Sequence, residues 1–223
     1  MALASGDFDE DGVPDLISAY AGYAGVPPAA FIALHRGNVD SIYPNTHEAE
    51  ERKARGELTD APFLSPAKVF EAAAKPDFIG AGDFDADGHL DVVMAARGDN
   101  RLYWVAGDGR GAFGSTHVIE LPGRVTAMTA GEINRRDGLA DVVVGVTDVA
   151  QTVSLRTDVN SQSQTDSLRY SVLVFEGPEG ALKHEPETIA LPAPATSLAL
   201  GQLDDSYEMD LAVAAGNDLV IVH

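Results

Sequence analysis

Two nine-residue loops of this chain carry carboxylates at alternate positions, the arrangement by which a protein binds a hard divalent cation. Loop 1 (residues 7–15) reads DFDEDGVPD, and loop 2 (residues 83–91) reads DFDADGHLD. Ca²⁺ takes about six to eight oxygen ligands, which alternate side chains of a curled loop can supply together. We therefore predict one Ca²⁺ site in each loop, with the seventh residue offering its backbone carbonyl. The predicted ligands are Asp7, Asp9, Asp11, Val13 and Asp15 in loop 1, and Asp83, Asp85, Asp87, His89 and Asp91 in loop 2.

The segments that follow the two loops exclude an EF-hand. An EF-hand needs a bidentate Glu at position 12 and a helix on each side of the loop. Position 12 is Ser18 in loop 1 and Met94 in loop 2. Residues 16–20 and 92–96 are short apolar runs near glycine, a pattern typical of buried strands. Both loops are therefore predicted to connect strands.

The loop and its strands recur in two further, degenerate copies, which we call loop 3 (residues 132–141) and loop 4 (residues 202–210). Every loop precedes one apolar run and then a second, so each copy predicts at least three strands. Without insertions the unit is about 50 residues long, the period of a four-stranded propeller blade. The sequence therefore predicts an all-β protein of β-propeller blades with four antiparallel strands each, about 3.5 blades in total. The predicted second strands are 16–20, 92–96, 142–146 and 211–215, and the third strands are 31–34, 102–105, 172–175 and 219–222.

Two insertions interrupt the repeat. Blade 1 is predicted at about residues 1–73 with an insertion at 39–69, and blade 2 at about 74–122. Blade 3 is predicted at about 123–192 with a loop insertion at 147–170, and blade 4, incomplete, at about 193–223. In the first insertion Thr46 and Gly56 have the residue types that begin and end a short helix. The second insertion is polar, without apolar periodicity, and is predicted to form a long hairpin loop.

A known family shares these features. Residues 82–88, the strand at 92–96 and the glycine turn at 107–113 resemble the FG-GAP or VCBS repeat, the blade unit of integrin α-subunit-type β-propellers. The resemblance implies Ca²⁺ in the hairpin loop between the first two strands of a blade. It also implies an extracellular or cell-surface location and a role in adhesion or recognition, with a protein or glycan ligand. We keep the scaffold of a carbohydrate-active enzyme, similar to polysaccharide lyases, as the alternative.

Loops 3 and 4 have fewer ligands. Loop 3 keeps Glu132, Asn134 and Asp141 at ligand positions, while arginines occupy its centre. Two interpretations stay open for it: a third Ca²⁺ site, or Arg136 in place of the ion. Loop 4 keeps aspartate at two positions but has Tyr207 where the turn glycine belongs, and we predict no metal there.

Composition limits the possible partners. The net charge of −20 argues against nucleic acid and anionic membranes as partners, because both repel an acidic surface. The chain has no cysteine, so disulfides and Cys-ligated zinc are excluded. No apolar run approaches the ~20 residues that a membrane helix requires, and we expect no membrane insertion.

The number of blades indicates a larger assembly. Propellers close with about four to eight blades. We expect an arc of a larger propeller, commonly seven-bladed in the family, with the remaining blades in a longer parent chain. Closure within this chain is the alternative.

Overall fold

A computed structural model describes residues 2–22, 30–133, 138–148, 169–205 and 208–223. Its fifteen strands form four antiparallel sheets in which consecutive strands are neighbours. Three sheets have four strands and the last has three, which confirms the predicted all-β blades. Blade 1 contains β1 (Ala2–Gly6), β2 (Asp15–Ala21), β3 (Ala30–His35) and β4 (Lys68–Glu71); blade 2 contains β5 (Phe78–Gly82), β6 (Asp91–Ala95), β7 (Arg101–Gly107) and β8 (Phe113–Glu120); blade 3 contains β9 (Arg124–Gly131), β10 (Asp141–Asp148), β11 (Arg169–Phe175) and β12 (Glu187–Leu191); blade 4 contains β13 (Ala195–Gly201), β14 (Asp210–Ala215) and β15 (Asp218–Val222).

The inner strands hold the blades side by side. Strand β1 contacts β5, β5 contacts β9, and β9 contacts β13. Within the described residues no contact of this extent joins β13 back to β1. The four sheets therefore lie side by side as the blades of a β-propeller. The larger, seven-bladed propeller stays a prediction.

The apolar core lies between the blades. Successive side chains of a strand point to opposite faces of the sheet, and β6 uses both faces. Val92 and Met94 pack with Ile17 of blade 1, whereas Val93 packs with Val142 of blade 3. A strand with neighbours on both faces reads as a continuous apolar run, which explains why the second strands were readily predicted.

The insertion of blade 1 contains two helices, α1 (Val39–Ile42) and α2 (His47–Arg55). As predicted, Thr46 caps α2, accepting a hydrogen bond from the N–H of Ala49 at 3.2 Å. Gly56 ends α2 at φ 72°, a left-handed conformation that glycine adopts at little cost. Helix α1 was not predicted, and β4 begins inside the segment assigned to the insertion. Most of the second insertion lies outside the described residues.

No helix among the described residues is long and apolar enough to cross a membrane.

Candidate metal centres

Loop 1 is a tight turn closed by its first aspartate. Asp7 accepts hydrogen bonds from the N–H groups of Asp11 at 3.0 Å and Gly12 at 2.8 Å. The turn needs two residues with positive φ, Glu10 at 56° and Gly12 at 85°. Gly12, the sixth residue of the loop, thus has a left-handed conformation that glycine adopts without steric cost.

The turn brings three predicted ligands of loop 1 together. Asp7, Asp9 and Asp15 each place one carboxylate oxygen within 4.8 Å of the other two. Oxygens about 2.4 Å from a shared Ca²⁺ lie at most about 4.8 Å apart, so this spacing suits the ion. The Asp9 side chain is 5% exposed, and its Oδ1 is buried without a hydrogen-bond partner. A buried, unpaired carboxylate oxygen is costly, and a cation would satisfy it.

Asp15 also holds the loop without a metal. It is buried, and its Oδ2 accepts the N–H of Phe8 at 3.1 Å while its Oδ1 accepts the N–H of Gly37 at 2.7 Å. Burial raises the pKa of the Asp15 carboxyl, and the two N–H donors oppose that rise. Asp15 therefore connects loop 1 to the end of strand β3.

Asp11 lies outside the group of three. Its Oδ1 accepts the N–H of Val13 at 2.9 Å, and its Oδ2 lies 3.5 Å from Nη2 of Arg36. The Nε of Arg36 donates to Oδ2 of Asp9. A positive side chain thus already contacts two of the predicted ligands of loop 1.

Loop 2 repeats this geometry. Asp83 accepts the N–H groups of Asp87 at 3.2 Å and Gly88 at 2.9 Å. Asp83, Asp85 and Asp91 each place one carboxylate oxygen within 4.8 Å of the other two. The pKa of Asp85 is raised by burial and by the nearby charge of Asp87. Loop 2 therefore has the same group of three oxygens as loop 1.

Asp91 is the most buried carboxylate of loop 2. Its two oxygens accept the N–H groups of Phe84 and Gly107, both at 2.9 Å. Burial raises the pKa of Asp91 to about 6, against the lowering effect of these donors. A bound cation would favour the ionised form and offset this cost.

The side chain of His89, the seventh residue of loop 2, contacts loop 1. Nδ1 of His89 lies 2.6 Å from Oε1 of Glu10 in loop 1, and this hydrogen bond raises the pKa of His89. The ring is thus engaged by Glu10, and the backbone carbonyl of His89 stays a predicted ligand. Asp87 accepts the N–H of His89 at 2.8 Å and, like Asp11, lies outside its group of three.

Loops 3 and 4 keep the buried aspartate of the ninth position. Asp141 accepts the N–H of Ile133 at 2.9 Å, and Asp210 accepts the N–H of Leu203 at 2.7 Å. Glu132 accepts the N–H of Gly138 at 2.9 Å. The predicted roles of Asn134, Arg136 and Tyr207 concern positions outside the described residues.

Loop 4 has a group that the sequence did not predict. Asp204 and Asp210 lie with His223 so that their ligand atoms are within 4.8 Å of one another, and Nδ1 of His223 is 2.8 Å from Oδ1 of Asp210. His223 follows the third strand of the blade, far along the chain from the loop. The spacing of residues within a loop cannot predict a candidate ligand that lies outside the loop.

One aspartate is therefore common to all four loops, and it acts as a clamp. Asp15, Asp91, Asp141 and Asp210 are all buried, and each accepts the N–H of the second loop residue. The clamp persists in the loops that have lost other carboxylates. The repetition of this aspartate in all four copies was the sequence signal for a role independent of metal.

Loops 1 and 2 also contact the following blade. The carbonyl of Phe8 accepts the N–H of Gly111 of blade 2 at 2.9 Å. The carbonyl of Phe84 accepts the N–H of Leu182 at 3.4 Å, in a 3₁₀ turn of blade 3. Both phenylalanine rings are buried in the inter-blade core. The second loop residue therefore fastens one blade to the next.

Fold and loops together define a β-propeller of repeated blades with acidic hairpin loops. Residues 83–144, from loop 2 to the second strand of blade 3, match the model of the FG-GAP-like repeat. This match confirms the predicted resemblance for that segment.

Solved structures give distant matches. The crystal structure of BBS1N in complex with ARL6DN, soaked with lead, contains a chain that is 14% identical with a TM-score of 0.36; the match covers 98% of this chain and 90% of that one. A chain of the same complex soaked with mercury is 15% identical with a TM-score of 0.29, over 89% of this chain and 60% of that one. No curated protein gave a significant match.

Proposed function

We propose that this chain is a calcium-stabilised propeller module of a secreted or cell-surface protein and acts as a scaffold for adhesion or recognition. The observation that carries the proposal is the pair of three-carboxylate groups, one of which contains the unpartnered, buried Oδ1 of Asp9. The FG-GAP-like match at residues 83–144 supports the assignment of loop 2. Ca²⁺ would be held by Asp7, Asp9 and Asp15 in loop 1, and by Asp83, Asp85 and Asp91 in loop 2.

The role of the ion in this proposal is structural. Ca²⁺ supplies positive charge to carboxylates that otherwise repel one another. The protein residues order the turn: Asp7 and Asp83 hold its backbone, while Asp15 and Asp91 fix it to the third strand. Because loops 1 and 2 also contact the next blade, the ion would stabilise the junction between blades as well as the hairpin. An ion that binds the folded form alone raises stability by mass action, by about 2.7 kcal/mol per site at a hundred times its dissociation constant.

Metal counting and thermal melting test this proposal. After dialysis against Ca²⁺ we expect two ions per chain, and removal by EDTA should lower the melting temperature. Asp9→Asn and Asp85→Asn should each lose one ion, while the exposed Asp60→Asn, with the same charge change outside the loops, should keep both. Wild-type protein without bound calcium and with the same melting temperature in EDTA would contradict the proposal.

A cleft between the outer parts of blades 2 and 3 is a candidate place for a protein or glycan ligand. It has a volume of about 820 Å³. Apolar side chains such as Ile119 and Phe175 line it together with the polar His184 and Glu185. This mixture suits a ligand with both apolar and hydrogen-bonding groups. A glycan array and an assay on uronate polymers test recognition and the alternative lyase activity separately.

A further inference from the structure

We propose that Arg36 is a built-in competitor of the cation in loop 1, so that loop 2 binds Ca²⁺ more tightly than loop 1. This inference rests on the calcium binding proposed above, and it concerns a residue that no loop pattern includes. Arg36 follows strand β3, outside the nine residues of loop 1.

The contacts of Arg36 are directed at the ligand oxygens of loop 1. Its Nε donates to Oδ2 of Asp9, a member of the three-carboxylate group, and its Nη2 lies 3.5 Å from Oδ2 of Asp11. The guanidinium is 38% exposed, whereas the Asp9 side chain is 5% exposed. Arg36 therefore neutralises from the solvent side a carboxylate whose other oxygen, Oδ1, is buried and unpartnered.

Loop 2 has an alanine at the equivalent position. Gly37 and Gly107 occupy equivalent places, because each donates its N–H to Oδ1 of the buried clamp aspartate, Asp15 or Asp91. The residues before these glycines are Arg36 in blade 1 and Ala106 in blade 2. The two sites thus differ at this position by one full positive charge.

No other basic side chain replaces Arg36 on the carboxylates of loop 2, as far as the described residues show. None of the four aspartates of loop 2 forms an ion pair within that part of the chain. Lys183 approaches loop 2, but its Nζ donates to the backbone carbonyl of Asp85. Its positive charge opposes the rise in the pKa of Asp85 without forming an ion pair with the Asp85 carboxylate.

The charge difference has two opposite consequences. Without metal, Arg36 offsets the repulsion among the carboxylates of loop 1. With metal, a fixed positive charge beside Asp9 repels a divalent ion, and the Nε hydrogen bond competes for one of its ligand oxygens. Arg36 should therefore make loop 1 less dependent on calcium and lower its affinity for calcium.

The test is a calorimetric Ca²⁺ titration of the full chain with one loop disabled at a time. In an Asp85→Asn background, which leaves loop 1, Arg36→Gln should tighten Ca²⁺ binding by about tenfold or more, as expected when a unit charge next to a divalent ion is removed. Arg55→Gln is the matched control, because Arg55 is an exposed arginine paired with Glu57 on the far end of α2. It should change affinity by less than about twofold through net charge alone.

The same titration in an Asp9→Asn background, which leaves loop 2, should show no effect of Arg36→Gln beyond that of the control. Equal loop 1 affinities with and without Arg36→Gln would overturn the proposal while leaving calcium binding intact. Absence of calcium binding in wild-type protein would instead overturn the proposed function, and this inference with it.

Two further variants keep the test decisive if Arg36→Gln fails to fold. Ala106→Arg places an arginine beside loop 2 and should weaken Ca²⁺ binding by that loop in the Asp9→Asn background. Arg36→Lys keeps the positive charge and should leave the Ca²⁺ affinity of loop 1 low. In labelled wild-type protein, the Nε–H resonance of Arg36 should shift when loop 1 fills with Ca²⁺, because its hydrogen bond to Asp9 is lost. An unchanged resonance at saturation, or unchanged loop 2 affinity in Ala106→Arg, would contradict the proposal.

Discussion

His89 of loop 2 contacts Glu10 of loop 1, with Nδ1 of the ring 2.6 Å from Oε1 of the carboxylate. The two acidic loops belong to different blades, and strands β2 to β5 lie between them in the sequence. Their side chains nevertheless meet, because the inner strands β1 and β5 place the blades next to each other. The loops are thus neighbours in one structure and not independent hairpins.

We predict that His89 and Glu10 are energetically coupled. In EDTA at low ionic strength, the stability losses of His89→Gln and Glu10→Gln should be non-additive, because either change removes the same contact. The coupling should shrink at high salt, since both side chains are about half exposed. Urea unfolding of the two single variants and the double variant measures it, and additive losses at low salt would exclude the coupling.

Truncation of the loop phenylalanine should weaken the junction between blades 2 and 3. Phe84 is fully buried and packs with residues of both blades. Phe84→Ala should lower the free energy of unfolding by about 3–5 kcal/mol, the usual cost of a large cavity. Val118→Ala on the exposed face of β8 is the control and should cost less than about 0.5 kcal/mol. A loss for Phe84→Ala as small as the control would refute the role of the ring in the core.

The clamp aspartate of loop 4 should stabilise the fold without any metal. Asp210→Ala removes the acceptor of the Leu203 N–H and of the His223 ring. We expect a loss of about 1.5–3 kcal/mol, the usual contribution of hydrogen bonds to a charged group. Urea unfolding in EDTA and in Ca²⁺ should give the same loss, whereas the exposed neighbour variant Asp205→Ala should be neutral in both. A loss seen with Ca²⁺ alone would assign Asp210 to metal binding instead.

The ion pair in the insertion of blade 1 should make stability depend on acid pH. Nε of Arg52 donates to Oδ2 of Asp40 at 2.7 Å, and this bond lowers the pKa of the Asp40 carboxyl. A lowered folded-state pKa gives stability that is complete above the ordinary carboxyl pKa and is lost as pH falls through the lowered value.

The melting temperature of Asp40→Asn should therefore lie below that of wild type at pH 7. The two should converge as pH falls through the lowered pKa of Asp40. Asp60→Asn, an exposed substitution in the same insertion, should follow wild type at every pH. A difference in melting temperature between Asp40→Asn and wild type that widens as pH falls would contradict this pH dependence.

The features that could be predicted from the sequence are mostly those that repeat, because each copy of the repeat must form the same strands and the same turn. The second strands are buried on both faces, so their apolar runs were visible, and Thr46 and Gly56 bounded α2 by their ordinary capping chemistry. The turn glycines and the aspartates of loops 1 and 2 follow from local spacing. All of these signals lie within a few residues along the chain.

The features that escaped prediction depend on contacts between distant segments. Arg36 reaches loop 1 from the end of strand β3, and His223 reaches loop 4 from the end of β15. The contact between Glu10 and His89 depends on the order of the blades. None of these residues has a fixed spacing from the loop that it contacts, so a sequence pattern could not single them out.

The position of the core between the blades affects how this protein can be divided. Because each apolar cluster is shared by two sheets, a fragment limited to blade 2 or to blade 3 would expose parts of two clusters. A fragment that keeps one cluster whole must contain two adjacent sheets and the acidic loop between them. The smallest part of this protein with a complete apolar core is therefore a pair of adjacent blades.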